Sequence, residues 1–208
     1  MALSKTYPLA LQKVMSYLGH LPGIGGRTAE RLGIALMSWS EEDVAGLGAA
    51  IAELRGKVDF CPVCGNFTEP GSLCALCRSS GRRQDIICVV ENVPQINVIE
   101  KSGSYDGLYH VLGGKLSPMN GIGSSALRIG ELRARLEQGT VKELLIALSP
   151  DVEGEATAHY LAGEFSGLGI SISRIASGIP VGADLSFADS ATLARAIAGR
   201  SIMEMGRQ

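Results

Sequence analysis

Apolar side chains recur at intervals of three and four through the first sixty residues, a spacing that places them on one face of a helix. The first such face comprises Leu9, Leu11, Val14, Met15 and Leu18. A second helix is predicted over residues 27–38, and its inward face comprises Ala29, Leu32, Ala35 and Leu36. Residues 21–26 are too rich in glycine and proline to continue either helix. The pattern therefore predicts a helical hairpin.

A third helix is predicted to begin after Ser40, whose hydroxyl can cap the free N–H groups of a helix start. Three acidic residues follow in the first turn, where the helix dipole favours carboxylates. They are Glu41, Glu42 and Asp43. This helix is expected to end near Val58, and its core-facing residues are expected to be Val44, Leu47, Ile51 and Leu54.

From residue 85 the pattern changes to short apolar runs that alternate with helical segments. Buried strands are predicted at 86–90, 108–112, 144–148 and 170–175. Helices are predicted between them at 93–101, 125–138 and 153–165. Strands that alternate with helices indicate a mostly parallel sheet with helices on both faces. The fold class is therefore α/β, and a helical hairpin domain and a cysteine-rich loop precede the sheet along the chain.

Composition and charge narrow the function classes. The 208 residues suffice for one large or two small domains, and 46% apolar residues suffice for a core. The formal net charge of −2 divides into a small positive excess before residue 84 and a negative excess after it. A nucleic-acid interface would therefore need a local basic patch rather than bulk charge. No membrane association is expected, because the longest apolar runs are far shorter than the roughly 20 residues that span a bilayer.

The turn of the helical hairpin reads LPGIG at residues 21–25. Gly23 and Gly25 allow backbone N–H groups at the start of the second helix to face outward, which makes that terminus a phosphate site. Arg27 and Arg31 lie one turn apart on this helix and can flank the same run of phosphates. The pattern is typical of a helix-hairpin-helix, which grips the DNA backbone without reading bases. The alternative is an ordinary helical hairpin with solvated arginines.

Five cysteines in a chain without a recognisable secretion signal point to a reducing compartment, so a cytoplasmic protein is expected. Paired thiolates suit tetrahedral zinc in a closed structural site. The alternative is a redox pair, which two CxxC pairs so close together disfavour. Cys88 lies in a predicted strand and is interpreted as a small core residue. The two CxxC pairs are formed by Cys61, Cys64, Cys74 and Cys77.

Carboxylates follow two of the predicted strands. Glu91 stands at the end of the first strand, and Asp151, Glu153 and Glu155 follow a later one. Ligands of open α/β sheets bind at such carboxyl ends, so these groups could hold Mg²⁺ for phosphoryl transfer. The alternative is that Glu153 and Glu155 merely begin a helix. The GGK segment at 113–115 is not a P-loop, because the first glycine and the hydroxyl residue of that motif are missing.

In this order, the motifs resemble the RecR family of bacterial recombination mediators. The resemblance covers nearly the whole chain: LPGIGGRTAERL at 21–32, the four cysteines at 61–77, ICVVE at 87–91, HVLGGKLSPMNGIG at 110–123, SPDVEGEATAHYLA at 149–162 and SRIASGIPVGADL at 173–185. The portion from 86 to 175 looks like a Toprim domain, the fold shared with topoisomerases and primases. The implied domains are a helix-hairpin-helix DNA-binding domain at 1–58, a four-cysteine zinc finger at 59–84, a Toprim domain at 85–175 and a C-terminal assembly segment at 176–208.

The resemblance also implies a function. Members of this family are DNA-encircling tetrameric rings without an established catalytic activity. They act with RecO, and in some contexts RecF, at gapped or single-stranded DNA, and they help RecA to replace single-strand-binding protein in the bacterial nucleoid. By position, Arg27 and Arg31 match the basic hairpin residues of the family, and the four paired cysteines match its zinc ligands. The residues that match the Toprim acidic positions, for a partner or a weak Mg²⁺ site, are Glu91, Asp151, Glu153 and Glu155.

One departure from the Toprim pattern bears on chemistry. Catalytic Toprim enzymes carry an aspartate where this chain has Ser149, so a DxDxE run reads SxDxE here. Loss of one carboxylate weakens a Mg²⁺ site, and this favours a non-catalytic DNA-binding mediator. Two alternatives stay open. One is a Mg²⁺-dependent Toprim nuclease or strand-passing enzyme that uses Glu91, Asp151 and Glu153, and the other is a zinc-stabilised protein-interaction module with no DNA role.

Overall fold

The computed structural model describes residues 6–200, so the outermost residues of the first and last predicted segments, 1–5 and 201–208, lie outside the described range. The chain folds as two compact units, one ending at Lys57 and the other beginning at Val58. Within the described range, the first unit is helical and the second contains all of the strands. None of the described helices is long and apolar enough to cross a membrane.

The helical hairpin of the first unit is present as predicted. Its helices are α1 (Leu9–Leu18), α2 (Gly26–Leu36) and α3 (Glu41–Lys57). Helices α1 and α2 pack around Met15 and Ala29, which are both buried. Gly33 permits this close approach, because a Cβ atom there would lie 2.7 Å from the Cγ atom of Met15. Gly23 in the turn has a φ of 80°, a left-handed conformation that glycine adopts without strain.

The expected burial of α3 is wrong. Ser40 caps the helix as predicted, since its Oγ accepts the N–H of Asp43 at 3.1 Å. None of the residues of α3 is buried, however, and on α2 the side chain of Leu32 is 40% exposed instead of inward. An apolar stripe shows that a helix face can be buried, but the described residues of the first unit do not cover this one. The residues predicted to face the core are exposed by 38–64%: Val44, Leu47, Ile51 and Leu54.

The second unit begins with a small cysteine-rich subdomain and continues as an α/β sheet. The subdomain contains an antiparallel pair, β1 (Asp59–Phe60) and β2 (Phe67–Thr68), and a short helix, α4 (Ala75–Arg78). The sheet region contains, in chain order, β3 (Arg83–Val90), α5 (Val93–Ser102), β4 (Gly107–Val111), α6 (Ile129–Leu136), β5 (Glu143–Ile146), α7 (Val152–Phe165), β6 (Ser171–Arg174) and α8 (Ser190–Ala198). The strand order is β4-β3-β5-β6, and all three pairings are parallel. The predicted α/β class is therefore confirmed.

Both faces of the central strand β3 are covered, which explains its unbroken apolar run. Ile87 and Val89 belong to a core cluster that includes residues of α6 and α7, such as Leu132 and Phe165. On the opposite face, the core contains residues of α5 and β4 and the side chain of Cys88. Cys88 is fully buried, as its interpretation as a small core residue requires. The carboxyl ends of β3 and β5 therefore lie at the same edge of the sheet, and the candidate acidic residues follow these two strands.

Candidate functional site

The start of α2 presents an open helix terminus beside two exposed arginines. No side chain caps this terminus; Gly25 occupies the N-cap position in an extended conformation. Arg27 and Arg31 are exposed, and neither forms an ion pair with a carboxylate in residues 6–200. Glu30 lies between them in sequence, but its carboxylate accepts a hydrogen bond from the Tyr7 hydroxyl at 2.7 Å. The terminus therefore combines a helix dipole, outward N–H groups and two unpaired cations, a set that suits a phosphate backbone.

The four paired cysteines come together in the second unit. Their sulfur atoms all lie within 4.8 Å of one another, and they form the only such group of potential metal ligands among the described residues. Gly65, with a φ of 77°, turns the chain after the first pair and donates its N–H to the Cys61 carbonyl at 2.9 Å. Burial acts to raise the pKa of Cys61, but N–H groups of Cys74, Cys64 and Val63 bring it down to about 7. The chain thus folds so that peptide groups favour a thiolate at this position.

The donor set of this cysteine cluster fits a structural metal ion. Cys61, Cys64 and Cys74 are buried and Cys77 is half-buried. Four sulfur donors at this distance suit a closed tetrahedral site, which leaves no position for water or substrate. The cluster is also attached to the sheet, because the Val111 N–H of β4 donates to the Cys64 carbonyl at 2.7 Å. A metal ion bound here would therefore order the loop and hold it against β4.

Three residues distant in sequence surround the cysteine cluster, and sequence reasoning missed them. Arg128 donates through Nη2 to the Pro62 carbonyl at 3.4 Å. Arg135 donates through Nη1 to the Tyr109 carbonyl at 2.7 Å. His110 is fully buried between them, with Nε2 2.8 Å from the Arg128 carbonyl and Nδ1 3.3 Å from Arg135 Nη1. Burial and the Arg135 charge lower the pKa of His110 to about 4, so the imidazole is neutral near pH 7.

At the sheet edge, a lysine stands between two of the candidate carboxylates. Glu91 follows β3, is only 5% exposed and accepts the Ser149 N–H at 2.5 Å. The Nζ atom of Lys115 lies 2.5 Å from Asp151 Oδ2 and 3.9 Å from Glu91 Oε2. This ammonium is the main cause of the lowered pKa of Asp151, and the Gly154 N–H contributes as well. Asp151 also caps α7 through that N–H at 2.8 Å.

The remaining two carboxylates have other partners. Glu153 accepts a hydrogen bond from the Ser117 hydroxyl. Glu155 pairs with Arg174 of β6 at 2.9 Å and with Arg195 of α8 at 3.5 Å. Both glutamates lie in the first turn of α7, as the helix-start alternative requires. The structure therefore brings Glu91 and Asp151 together through Lys115, but it does not gather the four acidic residues into one set of metal ligands in the described range.

The glycine-rich segment 113–123 is fastened to α7 by polar contacts. The Leu116 N–H donates to the buried Thr157 hydroxyl at 2.9 Å, which supplements the Lys115–Asp151 and Ser117–Glu153 contacts. Gly154 is required at the start of α7, because a Cβ atom there would lie 1.9 Å from the Ser149 carbonyl oxygen. Lys115 was visible in the sequence only as part of a failed P-loop match, since its partner lies 36 residues away.

The C-terminal segment packs on its own chain at the same edge. Arg195 of α8 donates to the Pro150 carbonyl at 2.9 Å. Gly178 approaches α8, where an added Cβ atom would lie 3.5 Å from the Cβ of Ala196. A cavity of about 260 Å³ lies between this segment and the start of α7, and its walls include Glu155 and Arg174. The expected role of this segment in assembly stays a prediction.

Comparison with known proteins agrees with this arrangement. Residues 85–176 match the Toprim domain family, and residues 178–201 match the family described as RecR, C-terminal. The chain is 48% identical over 198 residues to the Recombination protein RecR of Moorella thermoacetica, covering 95% of this chain and 99% of that relative. It is 46% identical over 198 residues to the Recombination protein RecR of Pelotomaculum thermopropionicum, covering 95% and 98%. It is 43% identical over 199 residues to that of Streptomyces avermitilis, covering 96% and 100%. The chain therefore belongs to the RecR family of recombination proteins.

Proposed function

We propose that this protein is a non-catalytic DNA-binding recombination mediator whose DNA contact is the start of α2. The observation that carries the proposal is the uncapped helix terminus flanked by Arg27 and Arg31, both exposed and without ion pairs in the described residues. The space beside Gly23 and Gly25 is open, since an added Cβ atom at either would meet nothing within 4 Å, so a phosphate can approach this terminus. Such a site binds phosphates of any sequence and contributes no base readout.

We assign zinc to the cluster of Cys61, Cys64, Cys74 and Cys77. The support is the donor set: four sulfur atoms within 4.8 Å, mostly buried, with peptide N–H groups directed at them. One zinc ion per chain would stabilise the loop and would take no part in a reaction, because four protein ligands complete its tetrahedral shell.

A non-catalytic Toprim edge is supported by the position of Lys115. Its ammonium occupies the space between Glu91 and Asp151 that a divalent cation would need, and it already offsets one of their two negative charges. A Mg²⁺ ion that binds both carboxylates would have to displace this lysine, which faces Glu91 Oε2 and Asp151 Oδ2. The acidic edge then serves a partner protein, and the exposed Asp151 is its accessible carboxylate.

The wider mediator role follows from membership of the family. In this proposal the protein acts with RecO and RecF at gapped or single-stranded DNA and helps RecA to displace single-strand-binding protein. Four chains form a homotetrameric ring, in which residues 176–208 contribute to assembly, in the bacterial cytoplasm at the nucleoid. A ring links several modest basic patches into one multivalent surface, which suits a chain of net charge −2.

The test is a gel assay of the purified protein on gapped DNA, with and without Mg²⁺, read under native and denaturing conditions. The wild type is expected to give a salt-sensitive native shift with intact strands after denaturation. Arg27→Ala with Arg31→Ala is expected to weaken binding at least tenfold and to reduce the salt slope by about 2.

The matched control removes the same charge from α3, by Arg55→Ala with Lys57→Ala, and is expected to have a smaller effect. Equal losses in the two double variants would place the DNA surface elsewhere. Mg²⁺-dependent strand cleavage that disappears in Glu91→Gln would establish a Toprim enzyme instead. Zinc without any DNA affinity would establish a protein-interaction module.

A further inference from the structure

Arg128 has a buried guanidinium nitrogen with no partner in the described residues. Its Nε donates to Glu131 Oε1 at 3.2 Å and its Nη2 donates to the Pro62 carbonyl. Its Nη1 is buried and meets no acceptor in that range. A buried charged donor without an acceptor loses its hydration and gains no hydrogen bond in return, so native structures usually provide an acceptor. This nitrogen therefore indicates that an acceptor is missing beside it.

The unpartnered nitrogen faces the first cysteine pair. A Cβ atom added to Gly65 would lie 1.9 Å from Arg128 Nη1, so the guanidinium packs directly on the residue that follows Cys64. Only glycine leaves room for it there. The Pro62 carbonyl, held by Nη2, lies inside the same CxxC pair. Two of the three nitrogens of Arg128 thus contact the turn that carries Cys61 and Cys64.

Arg135 lies seven residues later, on α6, and borders the same groove as Cys77 of the second cysteine pair. It lines a groove of about 430 Å³ together with Cys77, Pro62 and Val63. No carboxylate in residues 6–200 forms an ion pair with it, and its Nη1 is hydrogen-bonded to the neutral Tyr109 carbonyl and faces His110. Because half-buried charges are ordinarily paired, Arg135 also lacks the anion that its position requires.

The complex of a metal ion with the four thiolates of the cysteine cluster would be that anion. A divalent zinc ion bound by four thiolates leaves a net charge of −2 on the site. Arg128 and Arg135 carry two positive charges, and the partners above show that only Arg128 shares its charge with a carboxylate. Guanidinium groups suit this task, because they stay charged when desolvated and hold their donors in a fixed plane.

We propose that Arg128 and Arg135 are positioning residues of the metal site, which supply the counter-charge of the zinc tetrathiolate and attach it to α6. The inference rests on the proposed assignment of zinc to the cluster. It makes metal binding and the packing of the cysteine loop on α6 a single event. Loss of the metal would leave Arg135 without an anion and Arg128 with Glu131 alone, so part of the stabilisation by zinc depends on these arginines.

The test compares the full-length chain with Arg128→Met, Arg135→Met and Arg128→Lys. Arg133→Met on the same helix is the matched control, because Arg133 pairs with Glu164 and Glu137 instead. Zinc affinity is measured by competition with a chromogenic chelator. The methionine variants are expected to lose about 10- to 100-fold in affinity, Arg128→Lys less, and the control nothing measurable. In cobalt-loaded protein, the thiolate-to-metal charge-transfer band is expected to shift in Arg128→Met and in Arg135→Met and to stay at the wild-type position in Arg133→Met.

Thermal unfolding with and without metal separates this role from ordinary packing. The proposal requires Arg128→Met to lower the Tm of the metal-bound form more than the Tm of the metal-free form. Equal losses in both forms, or wild-type zinc affinity in the methionine variants, would overturn it. If Arg128→Met does not fold, Arg135→Met and the weaker affinity of Arg128→Lys decide the question. A wild type that binds neither zinc nor cobalt would refute the metal assignment itself, while DNA binding in the native gel remains a separate result.

Discussion

Replacing Lys115 by methionine tests whether the acidic edge is balanced by an internal cation. Methionine keeps most of the apolar stem but removes the ammonium that lies 3.9 Å from Glu91 and 2.5 Å from Asp151. The Asp151 carboxylate is half-exposed, so water can replace the lysine there. The Glu91 side chain is only 7% exposed, so water cannot readily replace the lysine there, and the Ser149 N–H is its remaining hydrogen-bond donor.

The magnitude follows from the Glu91 pair. Unit charges at 3.9 Å attract by about 4 kcal/mol at the effective dielectric constant of 20 that suits such sites. Breaking a buried pair by removing one partner costs about 3–5 kcal/mol. Since the Lys115 side chain is 18% exposed and Glu91 retains one donor, we expect Lys115→Met to lower the free energy of unfolding by about 2–3 kcal/mol.

The assay is urea unfolding at pH 7, followed by circular dichroism, for a double-mutant cycle with Glu91→Gln. The glutamine can still accept the Ser149 N–H but carries no charge, so the double variant is expected to recover about 2 kcal/mol of the loss in Lys115→Met. Lys142→Met removes an exposed lysine of the same unit and is expected to stay within about 0.5 kcal/mol of wild type. A loss below that limit in Lys115→Met, or no recovery in the double variant, would refute the internal-cation reasoning.

Three further predictions use single groups of the second unit. The His110 imidazole is expected to titrate with a pKa of about 4 in an NMR titration. Because folding favours its neutral form, its contribution to the free energy of unfolding is full above the unfolded pKa of about 6.5, and about 1.4 kcal/mol of it is lost by pH 5.5. An NMR midpoint above pH 5.5 would contradict the buried, arginine-flanked surroundings of His110. Cys88 is fully buried and burial raises the pKa of its thiol to about 12, so maleimide at pH 8 is expected to label Cys88 only after unfolding. Gly154→Ala is expected to lose about 2–3 kcal/mol against the Ser149 carbonyl, while Gly163→Ala on the same helix meets nothing within 4 Å and is expected to be neutral or slightly stabilising in the same urea assay.

The order of elements was predictable because most of the signal is local. Apolar runs of five residues bounded by polar segments locate β3, β4 and β5, and period-3.6 faces locate α1 and α7, with ends shifted by a few residues. The burial of α3 was not predictable in the same way. The spacing of Val44, Leu47, Ile51 and Leu54 indicates a helix face, but it contains no information on whether this chain or another molecule covers that face.

The candidate sites also differ in how much of each could be predicted from local sequence. The cysteine cluster is readable because its four ligands lie within seventeen residues, and two short turns alone bring them together. Lys115 and Arg128 are not readable, because each meets its site only after the sheet has placed segments 36 and 66 residues apart next to each other. The fold therefore adds a cation to the sheet edge and to the cysteine cluster, and no spacing rule in the sequence predicts either one.

The charge balance at the sheet edge explains why a serine, and not an aspartate, suits position 149. Without the aspartate of the catalytic pattern, the edge holds two neighbouring carboxylates, Glu91 and Asp151, and their donors are the Lys115 ammonium and two peptide N–H groups. The partial positive charge at the start of α7, about half a unit, adds to the single charge of the lysine. Together they offset about one and a half of the two negative charges, and a third carboxylate at 149 would add a further charge with no cation to offset it. Because Glu91 is buried in this arrangement and Asp151 is exposed, Asp151 is the accessible carboxylate of the pair.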